Sequence, residues 1–129
     1  MGNECKVLIV DDSKLARIML QRAISVYNPE WSIAQAANGE EGLIAFEEDK
    51  PDIILVDYHM PGINGIELAQ KFRDKDKTIP IALCTANIQN TIQEQAEGIG
   101  ISFVAKPITN DAVAEFLKVA DKARMEKPQ

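Results

Sequence analysis

The chain has 129 residues, of which 46% are hydrophobic and 26% charged, a length and composition typical of one globular domain. The net charge of −6 disfavours binding to nucleic acid or to an anionic membrane surface, so we expect protein partners. No apolar run approaches the roughly 20 residues that a membrane-spanning helix needs, and the N-terminus lacks the layout of a signal peptide. We therefore expect a single domain over residues 1–129, located in the cytoplasm and not inserted in a membrane.

Short β-branched segments alternate with longer segments of helical periodicity, a pattern that predicts βαβ units around a parallel sheet. The first and third strands are continuous apolar runs, as expected for strands that are covered on both faces. Cys84 falls in the fourth strand and is expected to be a core thiol, and Cys5 also has no metal-ligand spacing. The predicted strands are Val7–Val10, Ser32–Ala36, Ile53–Val56, Ile81–Cys84 and Ser102–Ala105.

Five helices are predicted after these strands. Helix one begins near Ser13, a favourable N-cap residue, and ends before Asn28-Pro29. Its predicted core stripe includes Met19 and Leu20. Helices two and three follow the turn sequences Asn38-Gly39 and Asn64-Gly65, helix four covers residues 88–97 with weak amphipathicity, helix five runs from Asp111, and residues 124–129 are expected to fray.

Polar side chains follow four of the predicted strands at the point where each strand ends. Asp11 and Asp12 follow strand one, Asp57 follows strand three, Thr85 follows strand four and Lys106 follows strand five. Ligands of open parallel sheets bind at the carboxyl ends of the strands. If the strands are neighbours, three carboxylates, a hydroxyl and an ammonium group converge on one place.

This set of groups has the chemistry of phosphoryl transfer. Three ionised carboxylates need a counter-charge, and oxygen ligands of this kind favour Mg²⁺, or alternatively Mn²⁺. The cation and Lys106 would neutralise the phosphoryl oxygens, and the Thr85 hydroxyl would donate a hydrogen bond to one of them. Asp57 is the candidate nucleophile, because a carboxylate can form an aspartyl phosphate. Each residue alone could be an N-cap, a turn residue or a surface lysine, so the joint placement carries the prediction.

The chain resembles the receiver domains of two-component signalling, most closely the stand-alone, CheY-like receivers of chemotaxis. The resemblance extends from Lys6 to about Ala123 and implies a flavodoxin-like sheet of strand order 2-1-3-4-5 with five helices. The segments that carry it are Val-Leu-Ile-Val-Asp11-Asp12-Ser, Ala-Asn38-Gly39-Glu-Glu-Gly, Asp52-Ile-Ile-Leu-Val-Asp57-Tyr-His-Met60-Pro61-Gly62-Ile-Asn-Gly65, Thr85-Ala86 and Phe103-Val-Ala-Lys106-Pro107.

The resemblance implies a role for each matching residue. Asp57 would be phosphorylated, Asp12 would bind Mg²⁺ directly, Asp11 would act partly through water, and His59 would offer its backbone carbonyl to the metal. Further roles are phosphoryl binding by Thr85 and Lys106, a cis peptide bond at Lys106-Pro107, and an aromatic switch at Phe103 that moves with Thr85.

Two departures from the chemotaxis pattern concern three residues. Phe103 stands where the chemotaxis regulator has tyrosine, so burial of the ring must report the switch without a hydroxyl. His59 and Asn87 occupy variable positions beside the phosphoryl site, where side chains influence the access of water. His59 could position or deprotonate a water, or could serve only through its carbonyl, so the sequence does not predict the lifetime of the aspartyl phosphate.

The resemblance also implies partners. A histidine kinase would donate the phosphoryl group, and the face made by helix four, strand five and helix five would bind a downstream protein. No output domain lies within these residues, so the signal is expected to leave through a protein contact. A flagellar-motor component, a histidine phosphotransfer protein of a relay and an enzyme regulated in trans remain open. We expect a monomer that promotes its own phosphorylation and dephosphorylation and is not a turnover enzyme.

Three other readings of the sequence are less favoured. A phosphatase of the haloacid-dehalogenase type would have its nucleophile after strand one in an Asp-x-Asp spacing, which Asp11-Asp12-Ser13 lacks. A nucleotide-binding module would need a glycine-rich loop after strand one. A degenerate receiver that only binds a partner would not need the complete set of Asp11, Asp12, Asp57, Thr85 and Lys106.

Overall fold

Five parallel strands pair in the order β2-β1-β3-β4-β5 in the computed structural model, which describes residues 4–126. This is the flavodoxin-like order that was expected. The five predicted strands are confirmed, and three of them are one residue longer than predicted. The first strand begins at Lys6, the third ends at Asp57 and the fourth ends at Thr85. The elements in chain order are β1 Lys6–Val10, α1 Lys14–Tyr27, β2 Ser32–Ala36, α2 Gly39–Asp49, β3 Ile53–Asp57, α3 Gly65–Lys75, β4 Ile81–Thr85, α4 Asn90–Gly98, β5 Ser102–Ala105 and α5 Asn110–Met125.

The sheet separates two hydrophobic clusters because successive side chains of a strand point to opposite faces. One cluster contains Ile9, Leu55 and Cys84 together with residues of α1 and α5. The other contains the intervening strand residues Leu8 and Ile54 together with residues of α2, α3 and α4. Every residue of β3 and β4 is buried, and so are Val7–Val10 of β1; for β1 and β3 this is what their continuous apolar runs predict. Cys84 lies in the core as expected.

Four of the five helices begin with a side-chain cap. The Ser13 hydroxyl accepts a hydrogen bond from the Ala16 N–H at 3.2 Å, which confirms the predicted N-cap of α1. Asn64 and Glu67 form a reciprocal capping box at the start of α3. At the starts of α2 and α5, the side chains of Asn38 and Thr109 accept hydrogen bonds from the N–H groups of Glu41 and Ala112. These caps fix the helix starts close to the strand ends, where the polar side chains lie.

Two helix predictions need correction. Helix α4 begins at Asn90, two residues later than predicted, and its N-cap residue Gln89 makes no side-chain cap hydrogen bond. Ile88 is 44% exposed outside the helix. In α1, Met19 is 37% exposed although it was expected in the core, because the buried stripe centres on Leu20 and its neighbours one turn later.

The end of α5 also differs from the expectation. The helix continues to Met125, so the expected frayed tail does not begin at Arg124. The Arg124 guanidinium lies 5.6 Å from the centre of the Trp31 ring and 2.9 Å from the Asp121 carboxylate, and both contacts stabilise the last turn. Residues 127–129 lie outside the described residues. Within residues 4–126, every helix is too short or too polar to cross a bilayer.

Candidate functional site

The carboxyl ends of β1 and β3 bring three carboxylates together. One oxygen from each of Asp11, Asp12 and Asp57 lies within 4.8 Å of the other two. The two strands are direct neighbours, with Val10 opposite Val56, so the residues that follow share one edge. Asp11 is completely buried and Asp57 is 4% exposed, whereas Asp12 is exposed. The cluster is therefore open to solvent at Asp12.

Lys106 supplies a positive charge to this cluster from the end of β5. Its Nζ donates to Asp57 Oδ1 at 2.8 Å and lies 3.5 Å from Asp11 Oδ2. The Lys106 N–H donates to the Thr85 carbonyl at 3.0 Å, which ties the end of β5 to the end of β4. The Lys106–Pro107 peptide bond, expected to be cis, is cis.

The electrostatics of the site follow from this crowding. Burial raises the pKa of Asp57, the charges of Asp11 and Asp12 raise it further, and the hydrogen bond from Lys106 opposes the rise. Burial alone would lower the pKa of Lys106, but the hydrogen bond with Asp57 and the nearby carboxylates outweigh it, so that pKa is raised. Three carboxylates against one ammonium leave negative charge that a divalent cation would balance. The donor set of carboxylate oxygens fits Mg²⁺.

Thr85 lies at the end of β4 and is 1% exposed. Its hydroxyl accepts from the Asn87 N–H at 3.2 Å and donates to the Asn87 carbonyl at 3.3 Å. The hydroxyl is thus engaged with the loop that follows β4. To donate a hydrogen bond to a phosphoryl oxygen, the Thr85 hydroxyl would have to give up its hydrogen bonds with the Asn87 backbone. The Asn87 side chain itself is exposed.

The remaining predicted residues lie at the margins of the carboxylate cluster. His59 is exposed, and its ring meets that of Tyr58 edge-on with centroids 4.7 Å apart. The role expected for its carbonyl stays a prediction. Phe103 lies on β5 opposite Leu83, is partly buried and packs against the cluster that contains α3 and α4. It occupies the face expected to carry the switch.

Two further residues shape the site and were missed in the sequence. The Arg17 guanidinium donates to the backbone carbonyl of Asp11 at 2.7 Å. Gly65 opens α3 against the end of β3, where an added Cβ would contact the Asp57 carbonyl. The Asn64-Gly65 turn was a visible signal in the sequence of a tight approach. By contrast, an arginine four residues after the N-cap of a helix does not indicate a site residue, so no signal in the sequence marks Arg17.

Comparison with known proteins finds one matching protein family and relatives that align with most of the chain. The response regulator receiver domain family matches residues 7–118. The chain is 36% identical over 120 residues to sporulation initiation phosphotransferase F of Bacillus subtilis, which covers 92% of this chain and 94% of that protein. It is 34% identical over 118 residues to the chemotaxis protein CheY of Listeria monocytogenes, with 91% and 98% covered.

One relative is longer, and one solved structure is closely similar. The positive alginate biosynthesis regulatory protein of Pseudomonas aeruginosa is 34% identical over 118 residues, which are 90% of this chain and 47% of that protein. The chain thus spans about half the length of that relative. The structure of Vibrio cholerae chemotaxis protein CheY4 superposes with a TM-score of 0.83 at 25% identity, covering 91% of this chain and 98% of that one.

Proposed function

The chain belongs to the response regulator receiver domain family, and from this premise we propose that it accepts a phosphoryl group on Asp57 from a histidine kinase. The reaction would take place in the cytoplasm on a monomeric chain. The observation that carries the proposal is the contact of Lys106 Nζ with Asp57 Oδ1 at 2.8 Å beside two further carboxylates. This places a cation next to the candidate nucleophile, where phosphoryl charge would develop.

The proposed step is an in-line transfer between two nucleophiles. A carboxylate oxygen of Asp57 forms a bond to phosphorus while the P–N bond of a phosphohistidine breaks, and the imidazole nitrogen keeps the electron pair. Lys106 binds a phosphoryl oxygen, and the Thr85 hydroxyl binds another after leaving Asn87. Hydrolysis of the acyl phosphate later returns the carboxylate. The chain is a phosphoacceptor that promotes these two reactions on itself and is not a turnover enzyme.

The cation requirement follows from the excess of carboxylates. Asp11, Asp12, Asp57 and the His59 carbonyl would hold Mg²⁺, which would supply positive charge to the transferring phosphoryl oxygens. Mn²⁺ has the same ligand preferences and is the alternative ion. The exposed Asp12 gives such an ion a route from solvent.

The test of the proposal is phosphorylation by acetyl phosphate, followed by mass spectrometry of the intact protein. We expect a gain of one phosphoryl group that requires Mg²⁺ and disappears in Asp57→Asn. Asp74→Asn is the matched control, because Asp74 is exposed on α3, where its carboxylate accepts a hydrogen bond from Gln70 of the same helix. No mass gain in the wild type, or equal gain in Asp57→Asn, contradicts the proposal. Steady turnover of many phosphate esters would indicate a phosphatase instead.

The proposed switch is Phe103 on the face formed by α4, β5 and α5. Its support is the partial burial of the ring on β5, which pairs directly with β4, the strand that ends at Thr85. We expect Phe103→Ala to keep Mg²⁺-dependent phosphorylation within about two-fold, because the ring lies outside the carboxylate cluster, while hydrogen exchange in α4 no longer responds to phosphorylation. Equal loss of phosphorylation and of the exchange response would argue against a separate switch role.

A relay intermediate is the second candidate function. It is favoured by the identity of 36% over 94% of a relative whose name is sporulation initiation phosphotransferase F. In a relay, the phosphoryl group would leave Asp57 for a histidine of an added phosphotransfer protein. Retention of the group on Asp57 in its presence would favour instead a receiver that binds a motor component or a regulated enzyme.

A further inference from the structure

The peptide group between Asp11 and Asp12 joins two of the three clustered carboxylates. It directly follows β1, which ends at Val10. Because a peptide unit is planar and rotates only about the bonds that flank it, its orientation sets the direction in which the Asp12 side chain leaves the backbone. A group that holds this peptide unit therefore also sets the geometry of the carboxylate cluster.

Every polar group of Asp11 has a partner, and the partner of its backbone carbonyl is Arg17. The Asp11 N–H donates to the Ala36 carbonyl at 3.0 Å, and Oδ1 accepts from the Ser13 N–H at 2.9 Å. Oδ2 lies 3.5 Å from Lys106 Nζ. The carbonyl accepts from Arg17 Nη1 at 2.7 Å. Hydrogen bonds from ionised donors are stronger than those between neutral groups, so the guanidinium is the group that holds the peptide unit after β1.

The Arg17 guanidinium is itself held in the orientation that this contact needs. Its Nε donates to Gln35 Oε1 at 3.3 Å, and Gln35 Nε2 donates to Gln21 Oε1 at 2.8 Å. Gln35 lies on β2 and Gln21 on α1, so the guanidinium is braced between a strand and its own helix. Arg17 takes part in none of the ion pairs among residues 4–126. Its partners are therefore neutral oxygens, and it does not act as the counter-ion of a clustered carboxylate.

We propose that Arg17 is a positioning residue for the metal site. Through the Asp11 carbonyl it holds Asp12 where the Asp12 carboxylate joins the other two around a divalent cation. The inference rests on the proposed function for the identity of the cation, and it extends that function to a residue whose own contacts are with a backbone carbonyl and a side-chain amide. Groups that orient metal ligands from outside the first shell are worth about 10- to 100-fold in metal affinity.

Charge and position predict opposite effects of removing the Arg17 guanidinium. A guanidinium near a divalent cation repels it, so loss of the charge alone would strengthen the binding of Mg²⁺. Loss of the positioning contact frees the peptide unit, so the carboxylates have to be ordered when the ion binds, and the binding of Mg²⁺ weakens. The sign of the change in Mg²⁺ affinity therefore distinguishes the two roles.

The test is titration of the full, unphosphorylated chain with MgCl₂, followed by the backbone amide signals in a ¹⁵N-correlated NMR spectrum, which needs no phosphodonor. Arg17→Met removes the donors and keeps a long side chain, and we expect the dissociation constant of Mg²⁺ to rise about ten-fold. Arg17→Lys keeps the charge and one flexible donor group for the same carbonyl, so the rise should be limited to about three-fold. An unchanged or lower dissociation constant in Arg17→Met overturns the proposal, as does a wild type that shows no saturable Mg²⁺ binding.

Arg22→Met is the matched control, because Arg22 is an exposed arginine of the same helix and its replacement removes the same charge. We expect this variant to bind Mg²⁺ as the wild type does. An equal rise of the dissociation constant in Arg17→Met and Arg22→Met would show that the loss of an arginine from α1, and not the contact with the Asp11 carbonyl, causes the effect. That outcome also overturns the proposal.

Gln35→Ala tests the same contact without removing the guanidinium, and Gln35 is exposed, so the core is left intact. Because one contact that orients Arg17 is lost, we expect the dissociation constant of Mg²⁺ to rise about two-fold, the effect of a weak hydrogen bond. The same substitution in the Arg17→Met chain should have no effect, since the two residues act through one contact. An equal rise in both chains overturns the proposal. Phosphorylation of Asp57 is measured separately with acetyl phosphate, so a chain that binds Mg²⁺ as expected but gains no phosphoryl group contradicts the proposed function alone.

Discussion

At the scale of single residues, the candidate site depends on an imbalance of charge. Asp11 and Asp57 are buried next to the exposed Asp12, and Lys106 contacts the two buried carboxylates. Repulsion among the carboxylates destabilises the folded chain in the absence of a bound cation. The free energy of unfolding should therefore report on the site directly.

Asp12→Asn tests this repulsion, because it removes one charge and keeps the size of the side chain. Without Mg²⁺ we expect the free energy of unfolding to rise by about 0.5–1 kcal/mol, a small value because Asp12 is exposed and solvent screens it. The measurement is urea unfolding followed by circular dichroism in EDTA.

Adding Mg²⁺ should reverse the order of stability. The wild type is stabilised by any ligand that binds only the folded state, and the variant should gain less because it has lost a proposed ligand. Asp74→Asn serves as the control and should gain as much as the wild type. An Asp12→Asn chain that is less stable than the wild type in EDTA would show that repulsion does not dominate.

Sequence predicted the acidic residues and Lys106 because each follows a strand, and parallel strands end at one edge. It did not predict Arg17, whose contact is with a backbone carbonyl of Asp11. A backbone carbonyl leaves no mark on the residue pattern, so only the folded geometry reveals this contact. The hydrogen bonds of the Thr85 hydroxyl are likewise with backbone groups, those of Asn87, and could not be predicted from the residue pattern either.

At the scale of elements, the start of α3 is held tightly against the end of β3. The Gly65 N–H donates to the Tyr58 carbonyl at 2.9 Å, and the capping box of Asn64 fixes the first turn. The position of Asp57 therefore depends on how closely α3 can approach. This approach requires a residue without a side chain.

Gly65→Ala should disturb both stability and chemistry. Its Cβ would meet the Asp57 carbonyl, and would lie 2.7 Å from Leu83 Cδ1 and 2.8 Å from Tyr58 Cα. Because backbone atoms must shift, we expect a loss of about 1–3 kcal/mol in the free energy of unfolding and slower phosphorylation by acetyl phosphate. Urea unfolding and timed mass spectrometry measure the two effects.

Gly98→Ala is the matched control for this change. Gly98 is the last residue of α4, and an added Cβ there would have nothing within 4 Å. Alanine should raise stability by up to about 1 kcal/mol through helix propensity and leave phosphorylation unchanged. If both glycine variants behaved alike, close approach at Gly65 would not explain its effect.

The element that sequence placed least well is α4. Ile88 fits the helical periodicity but stays outside the helix, because the loop before it is held by hydrogen bonds between Thr85 and Asn87. The helix buries only Ile92 and Ala96 among its own residues. A helix with so little buried surface has a weak pattern, which explains the error of two residues at its start.

At the scale of the whole molecule, the strand order and the two-sided core were predictable from apolar runs and from the resemblance to receivers. The last turn of α5 was not, because one of the two contacts that stabilise it is with Trp31, a residue about 90 positions away along the chain. The same long-range packing buries the two thiols, Cys5 and Cys84, in one cluster with α1 and α5. Their burial makes the stability of the entire fold depend on pH.

Burial raises the pKa of Cys5 and of Cys84 from 9.0 to about 12 in each case. Between these values the unfolded chain loses thiol protons and the folded chain keeps them, so the free energy of unfolding falls as the pH rises above about 9. Each thiol can contribute up to about 1.4 kcal/mol per pH unit, and below pH 9 the contribution is constant.

Replacing one thiol should reduce this slope. Below pH 9, Cys84→Ala lowers stability because Cys84 is fully buried. Above pH 9, its free energy of unfolding should fall less steeply than that of the wild type. Lysine and tyrosine titration is common to both chains and cancels in the difference. Urea unfolding across this range measures both slopes, and parallel curves for the two chains would mean that the buried thiol does not couple the fold to pH.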